Sequence, residues 1–488
     1  STLFPYTTLF RSGRRIQNRK DQFPRRIKEL KQATPIAGEV KVPDFIEHVT
    51  EQLRNEIDID PDVYVKNNVK RGLRNANGTG VVVGLTRVGS AVGYKLGENG
   101  EKIIQEGKLY YRGYDIEDLV RGVIKDNRRG FEEITYLLLS GTLPTESELN
   151  KFKDMLAAKR QLPNRIIKDI LMTTPPRDLM TKLAINVLQL YTYDKQADDV
   201  SIENVVRQSV DIIGYFPALM AYAYQMKCAY YDNKGLMLHY PIPEFGAAEN
   251  ILRLIRTSGE YTDIEATILD LCLILHAEHG GGNNSTFTTH LVSSTATDTY
   301  SAIAASIGSL KGPKHGGANI KVIDMIADLK RNVRDITNEK QIKKYITDVL
   351  KGKANDGSGL VYGVGHAIYT LSDPRAKLLK EMARKLAESK NKLDEFHIYE
   401  VIEENTQSLY EKVHGRNVVM SANVDLYSGF VYKALDIPNE LATPIFATAR
   451  VSGWCAHRLE ELAFNKKIIR PARSEEHTSE LQSRSAIS

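Results

Sequence analysis

A chain of 488 residues can bury a large core and has room for roughly one to three domains. Its 42% hydrophobic and 26% charged residues are those of an ordinary globular protein, and a net charge of +5 is too small at this size to argue for nucleic acid. No uninterrupted apolar run reaches membrane-span length, and three widely spaced cysteines (Cys228, Cys272, Cys455) form neither a CxxC pair nor a disulfide framework. Reduced, buried thiols in a cytoplasmic protein are the expectation.

In chain order, residues 1–12 and 473–488 resemble translated sequencing-adapter oligonucleotides, so no fold is expected of either end. Residues 13–31 are basic without interleaved aromatics, which reads as a solvated helix face. The glycines from Gly78 to Gly84 look superficially like a dinucleotide loop. They lack a preceding strand and a following helix, so turn glycines explain them better. Val81–Tyr94 and Lys102–Tyr111 read as a small β-hairpin region. From Tyr114 onward the pattern is helical almost throughout: 116–125, 131–140, 146–159, 178–193 and 202–231, punctuated by Pro163, Pro175, Pro176, Pro241, Pro243 and Gly259. The fold class is mostly α.

The later half carries the chemistry. An apolar helix, 264–276, runs into His276-Ala277-Glu278-His279 and a row of glycines, which is a helix-stop signal. A second glycine-flanked histidine, His315, precedes a helix expected from Ile320 to about Arg334 with Asn319 as its N-cap. A third, His366, sits on a loop with Gly363 and Gly365, where missing side-chain bulk lets a ligand approach backbone and ring together. Asp373 and Pro374 are cap and first residue of the next helix. Arg375 then lies in a first turn whose dipole disfavours a cation, which implies an anion that needs it. Asp425 opens a further helix, where a carboxylate serves as a base or as a plain cap. Arg450 lies in a helix rich in small residues, and Arg470 closes the run Lys467-Ile468-Ile469-Arg470-Pro471.

The order of these motifs (HAEHGGGN, GPKHGGAN, GVGHAIYTLSDPR, NVDLYSG, the helix around Arg450, and IIRP) resembles the citrate synthase family, bacterial citrate and 2-methylcitrate synthases included, over roughly Gly72 to Pro471. The resemblance implies a two-domain helical fold with a small N-terminal β-hairpin region. The large domain would comprise 13–315 and 431–472, and a small domain would be inserted at 316–430. It implies an acyltransferase of the citrate (Si)-synthase type that condenses acetyl-CoA with oxaloacetate, working as a homodimer or higher oligomer. No permanent cofactor and no metal are implied, with acetyl-CoA as co-substrate.

By the same resemblance Asp425 is the base, His315 the donor to the thioester oxygen and His366 the donor to the keto oxygen. His279, Arg375, Arg450 and Arg470 hold oxaloacetate, with Arg470 supplied by the partner subunit. Val361, Gly363, Val364 and Gly365 meet coenzyme A. Gly280 and Thr370 depart from the family pattern and leave the coenzyme A tail to Lys311, Lys314, Lys351 or Lys353. Residue chemistry adds that His315 beside a helix N-terminus should stay neutral. For Asp425 a stabilising helix start opposes a pKa-raising burial. Propionyl-CoA is the alternative substrate. A metallohydrolase using His276, His279, His315, His366 and Asp425 is the alternative of another class, opposed by the missing HExxH spacing and by arginines that would repel a dication.

Overall fold

The computed structural model describes residues 61–472 apart from 76, 100 and 466, together with 46 and 49–51. The adapter-like ends and the basic stretch 13–31 lie outside the described residues. Two compact units are present, Gly84–Lys467 and a second formed by Ser1–Val83 with Ile468–Ser488. In the described part of the second unit a short helix, α1 (Pro61–Lys66), precedes a 3-10 turn at Arg71–Leu73 and an isolated bridge from Arg74 to Gly80. Gly78 serves that turn with a φ of 79°, a conformation that favours glycine.

The unit Gly84–Lys467 opens with an antiparallel sheet of order β1-β2-β3, from Gly89–Leu96, Lys102–Tyr111 and Tyr114–Asp115. The first strand begins at Gly89 rather than Val81, and its register to β2 shifts between Val92 and Tyr94. Helices follow: α2 (Ile116–Lys125), α3 (Phe131–Ser140), α4 (Glu146–Arg160), α5 (Asn164–Met172), α6 (Leu179–Tyr191), α7 (Ile202–Tyr231), α8 (Ala247–Ile255) and α9 (Asp263–His276). Then come α10 (Asn284–Ser293), α11 (Thr299–Lys311), α12 (Ala318–Asn332), α13 (Glu339–Leu350), α14 (Pro374–Ser389), α15 (Leu393–His414), α16 (Val424–Ala434) and α17 (Ala442–Phe464).

Their starts follow from the caps. Asp115, Asp178, Asp298 and Asn338 each accept a backbone N–H of the first turn, and Thr145 with Glu148 forms a capping box. α12 departs from expectation, starting at Ala318 with Gly317 in the cap position. Asn319 is inside the helix because its side chain is used elsewhere, donating to Ser428 Oγ of α16 at 2.5 Å.

Helices α7, α9 and α17 form the centre. Ile268, Leu269, Leu273, Ile274 and Leu275 of α9 are fully buried, each contributing ~1.5–3 kcal/mol relative to exposure. The small residues of α17 have a packing purpose. A Cβ on Gly453 would stand 2.4 Å from the Ala277 carbonyl oxygen, so only glycine lets α17 lie against the chain that leaves α9. Among the described residues no helix is long and apolar enough to cross a membrane.

Candidate active site

Three chain segments converge around His279. Its ring meets that of His366 at 5.3 Å between centroids and that of Tyr369 at 5.4 Å, while His366 stacks on Tyr369 at 4.8 Å. Arg375 stands over the same tyrosine at 5.4 Å. The His366 loop is tied to the start of α16 by backbone: Val364 bridges Ala422, Gly365 N–H donates to Ser421 O, and Asn423 N–H donates to Gly363 O. Positive φ at Gly363 and Gly365 (86° and 90°) gives the loop its turns. Asn423 Nδ2 donates to Gly365 O at 2.8 Å, while its Oδ1 accepts Asp425 N–H at 3.0 Å. Asn423 is therefore the cap of α16, and the capping alternative for Asp425 is removed.

The histidines are held neutral. His366 Nδ1 accepts the N–H groups of Ile368 (3.0 Å) and Tyr369 (3.2 Å), so the neutral ring carries its proton on Nε2. Burial, then the charge of Arg375, brings its pKa down to about 4. His315 is the mirror case. Its Nε2 accepts Ser285 N–H at 3.3 Å and lies 3.0 Å from Ser285 Oγ, which leaves the proton on Nδ1. Burial and then Arg450 bring its pKa to about 4. His279 is held well below the ordinary range by burial, then Arg375. Its Nε2 is buried without a hydrogen-bond partner.

Burial wins at Asp425. It raises the carboxyl from 3.8 to about 6 against the pull of Arg375, and no hydrogen bond to the carboxylate is present among the described residues. Of the two opposing influences, helix start and burial, burial is the larger.

Arg375 requires a correction. Its guanidinium is already paired with Asp373, Nε to Oδ1 at 3.0 Å and Nη2 to Oδ2 at 2.7 Å. Asp373, which also caps α14 and accepts Val424 N–H, offsets the unfavourable dipole, so the dipole by itself implied no ligand. Arg450 is different. It is completely buried, its Nε donates to His276 O at 2.6 Å, and both Nη atoms lack a partner. Burial lowers its pKa to about 10. Buried, unpaired guanidinium N–H groups cost free energy that a bidentate carboxylate would recover.

Arg470 is exposed and belongs to the second unit, and Val361 is buried beside the His366 loop. The metallohydrolase ligand set is not assembled: His276 packs on Phe446, and the described groups with metal-ligand spacing lie elsewhere. Sequence reasoning missed Ser285, which sets the His315 tautomer, and Tyr369, the floor under two histidines. It read Asp373 only as a cap. The Asp-Pro-Arg spacing was its one available signal, since a cap and an arginine two residues apart can pair.

The sequence profile of the family "Citrate synthase, C-terminal domain" matches residues 78–472. A citrate synthase of Haloferax volcanii is 35% identical over 370 residues, 75% of this chain and 88% of that protein. A 2-methylcitrate synthase of Shewanella oneidensis is 32% identical over 372 residues, 75% of this chain and 87% of that protein. In structure, the chain resembles the citrate synthase of Thermoplasma acidophilum solved as a ternary complex with carboxymethyl coenzyme A and oxaloacetate. That likeness has a TM-score of 0.68 and 27% identity, covering 85% of this chain and 98% of that one.

Proposed function

The chain belongs to the citrate synthase family of acyltransferases, and from that premise we propose that it condenses acetyl-CoA with oxaloacetate and hydrolyses the resulting thioester to citrate and coenzyme A. The observation that carries the reading is Arg450, a wholly buried cation with two unpartnered nitrogens beside neutral histidine donors.

Each proposed role follows from the local chemistry. Asp425 takes a methyl proton of the acetyl group, a task suited to a carboxylate raised toward neutrality. His315 donates Nδ1–H to the thioester oxygen as the enol forms. The enol carbon attacks the ketone of oxaloacetate, whose oxygen receives the Nε2–H of His366. Neutral imidazoles serve here because two cations would compete with the arginines for the dicarboxylate. Arg450, Arg375 and His279 hold oxaloacetate, and Arg470 of the partner subunit completes the set in a homodimer. Coenzyme A lies along Val361, Gly363, Val364 and Gly365, and the small domain, 316–430, closes over both substrates against the large one. Buried free thiols at Cys228, Cys272 and Cys455 suit a cytoplasmic setting.

Release of coenzyme A thiol with oxaloacetate tests the reaction, and kcat/KM for acetyl-CoA against propionyl-CoA tests the substrate. One methylene of pocket volume is worth ~1–3 kcal/mol. A clear preference for acetyl-CoA is expected. The reverse preference would make the enzyme a 2-methylcitrate synthase. For Arg470, mixing inactive Arg470→Ala and Asp425→Ala chains should recover activity once heterodimers form. Heterodimers without activity would return Arg470 to its own chain.

A further inference from the structure

Behind the His279 loop lies a second histidine pair that the condensation does not use. His290 of α10 and His457 of α17 face each other, with His290 Nε2 2.9 Å from His457 Nδ1. The outer nitrogen of each ring is taken by a buried carboxylate: His290 Nδ1 by Glu461 Oε2 at 2.7 Å, and His457 Nε2 by Glu278 Oε1 at 2.9 Å. A carboxylate only accepts, so each neutral ring carries its proton on that outer nitrogen. With both rings neutral, the two inner nitrogens both present lone pairs across a gap of hydrogen-bond length. Neither can donate.

A third acceptor joins them. Glu460 Oε2 is buried without a hydrogen-bond partner and lies 3.9 Å from His457 Nδ1, while Glu460 Oε1 accepts Arg87 N–H. Glu460 is 7% exposed and His457 is 0% exposed. The three inner ligand atoms lie within 4.8 Å of one another. Glu278, Glu460 and Glu461 bring three carboxylates together, and among the described residues none of them is ion-paired to a lysine or arginine. Arg112 and Arg450 act on this group only from a distance.

We propose that His290 Nε2, His457 Nδ1 and Glu460 Oε2 bind one divalent first-row transition ion, Zn2+ being the best match. Two imidazoles and a carboxylate are its usual donors. The Glu461–His290 and Glu278–His457 hydrogen bonds are the outer carboxylates that fix tautomer and ring orientation in such sites. Tetrahedral coordination needs the two nitrogens ~3.3 Å apart at ordinary Zn–N lengths, a small opening of the present gap. Thr86 Oγ1, 3.5 Å from His457 Nδ1, or a water would complete the shell. The ion would clamp α10, α17 and the segment entering β1. Through Glu278, which also accepts Gly280 N–H, it would hold the loop that carries His279. The role is structural, because His457 and Glu460 are buried where α17 packs on its neighbours.

The test uses the full chain, freed of metal with a chelator and titrated with Co2+ as a spectroscopic probe and then with Zn2+. One ion per chain, with the visible bands of tetrahedral Co2+, is expected. His290→Gln and Glu460→Gln each remove a ligand and should abolish those bands. Glu461→Gln leaves all ligands in place and should weaken affinity ~10–100-fold, the effect of losing an outer carboxylate. Absence of stoichiometric binding overturns the proposal. So does binding that His290→Gln and Glu460→Gln leave at wild-type strength, since the ion would then sit elsewhere. If His290→Gln fails to fold, Glu461→Gln and Glu460→Gln decide by the same readings.

Discussion

On one side of the histidine cluster, the His366 loop and the start of α16 are joined through backbone atoms, and several polar groups there are already paired. Arg375 pairs with Asp373 through Nε and Nη2, His366 Nδ1 accepts two N–H groups, and the Asn423 amide uses both of its ends. On the other side, α9 and α17 meet by helix packing, and polar atoms are left over: both Nη atoms of Arg450, His279 Nε2 and His276 Nδ1. A site needs both kinds of construction. The backbone-tied side fixes geometry before any ligand arrives, and the unsatisfied side supplies the binding energy that a carboxylate ligand would release.

The largest expected effect falls on Asp425. Asp425→Asn should lower turnover ~10²–10⁴-fold or more, while oxaloacetate binding measured by calorimetry is retained, because the helix is capped by Asn423 and not by Asp425. Methyl-proton exchange of acetyl-CoA with an oxaloacetate analogue present is the direct measurement, and wild-type exchange in the mutant would remove Asp425 from the role of base.

The two arginines should separate stability from binding. Arg375→Leu strands the buried Asp373 and should cost ~3–5 kcal/mol in a denaturant titration. Arg450→Leu strands no carboxylate, so stability should change little, while oxaloacetate affinity drops by ~2–5 kcal/mol. Equal stability losses in the two variants would show that Arg375 and Arg450 do not differ in this way.

The pH dependence sharpens the same point. Asp425 must be unprotonated to act, so kcat/KM should fall as pH drops through about 6. His315 and His366, at about 4, should add nothing above that limb. The folded state holds a proton on Asp425 more tightly than the unfolded chain does, so this group costs stability above about pH 6 and costs none below 3.8. Asp425→Asn should therefore raise Tm at pH 8 and leave it unchanged near pH 3.5, and a mutant less stable at pH 8 would refute the burial argument. The smallest effect is expected for Asn423→Ala. Loss of the cap should cost ~0.5–2 kcal/mol, with a fall in kcat because the Gly365 tether goes with it.

Local signals were legible in the chain itself. The Asp373 cap with Pro374, the helix stop after His276 and the helix spans of α2, α3 and α7 depend on interactions within a few residues, and composition and periodicity report those directly. The order of the histidine and arginine motifs was enough to identify the family. The protonation state of each group was not legible, because it depends on partners far away in sequence. Ser285 selects the His315 tautomer, and Asp373 uses both its oxygens on Arg375. Desolvation decides between the opposing forces on Asp425. His290 and His457 are another such case, separated by 167 positions and brought to 2.9 Å only by the packing of α10 on α17. Sequence determined which donors and acceptors exist and which helices carry them. Tertiary structure alone decided which of them are satisfied, because burial and hydrogen-bond pairing are properties of the packed chain.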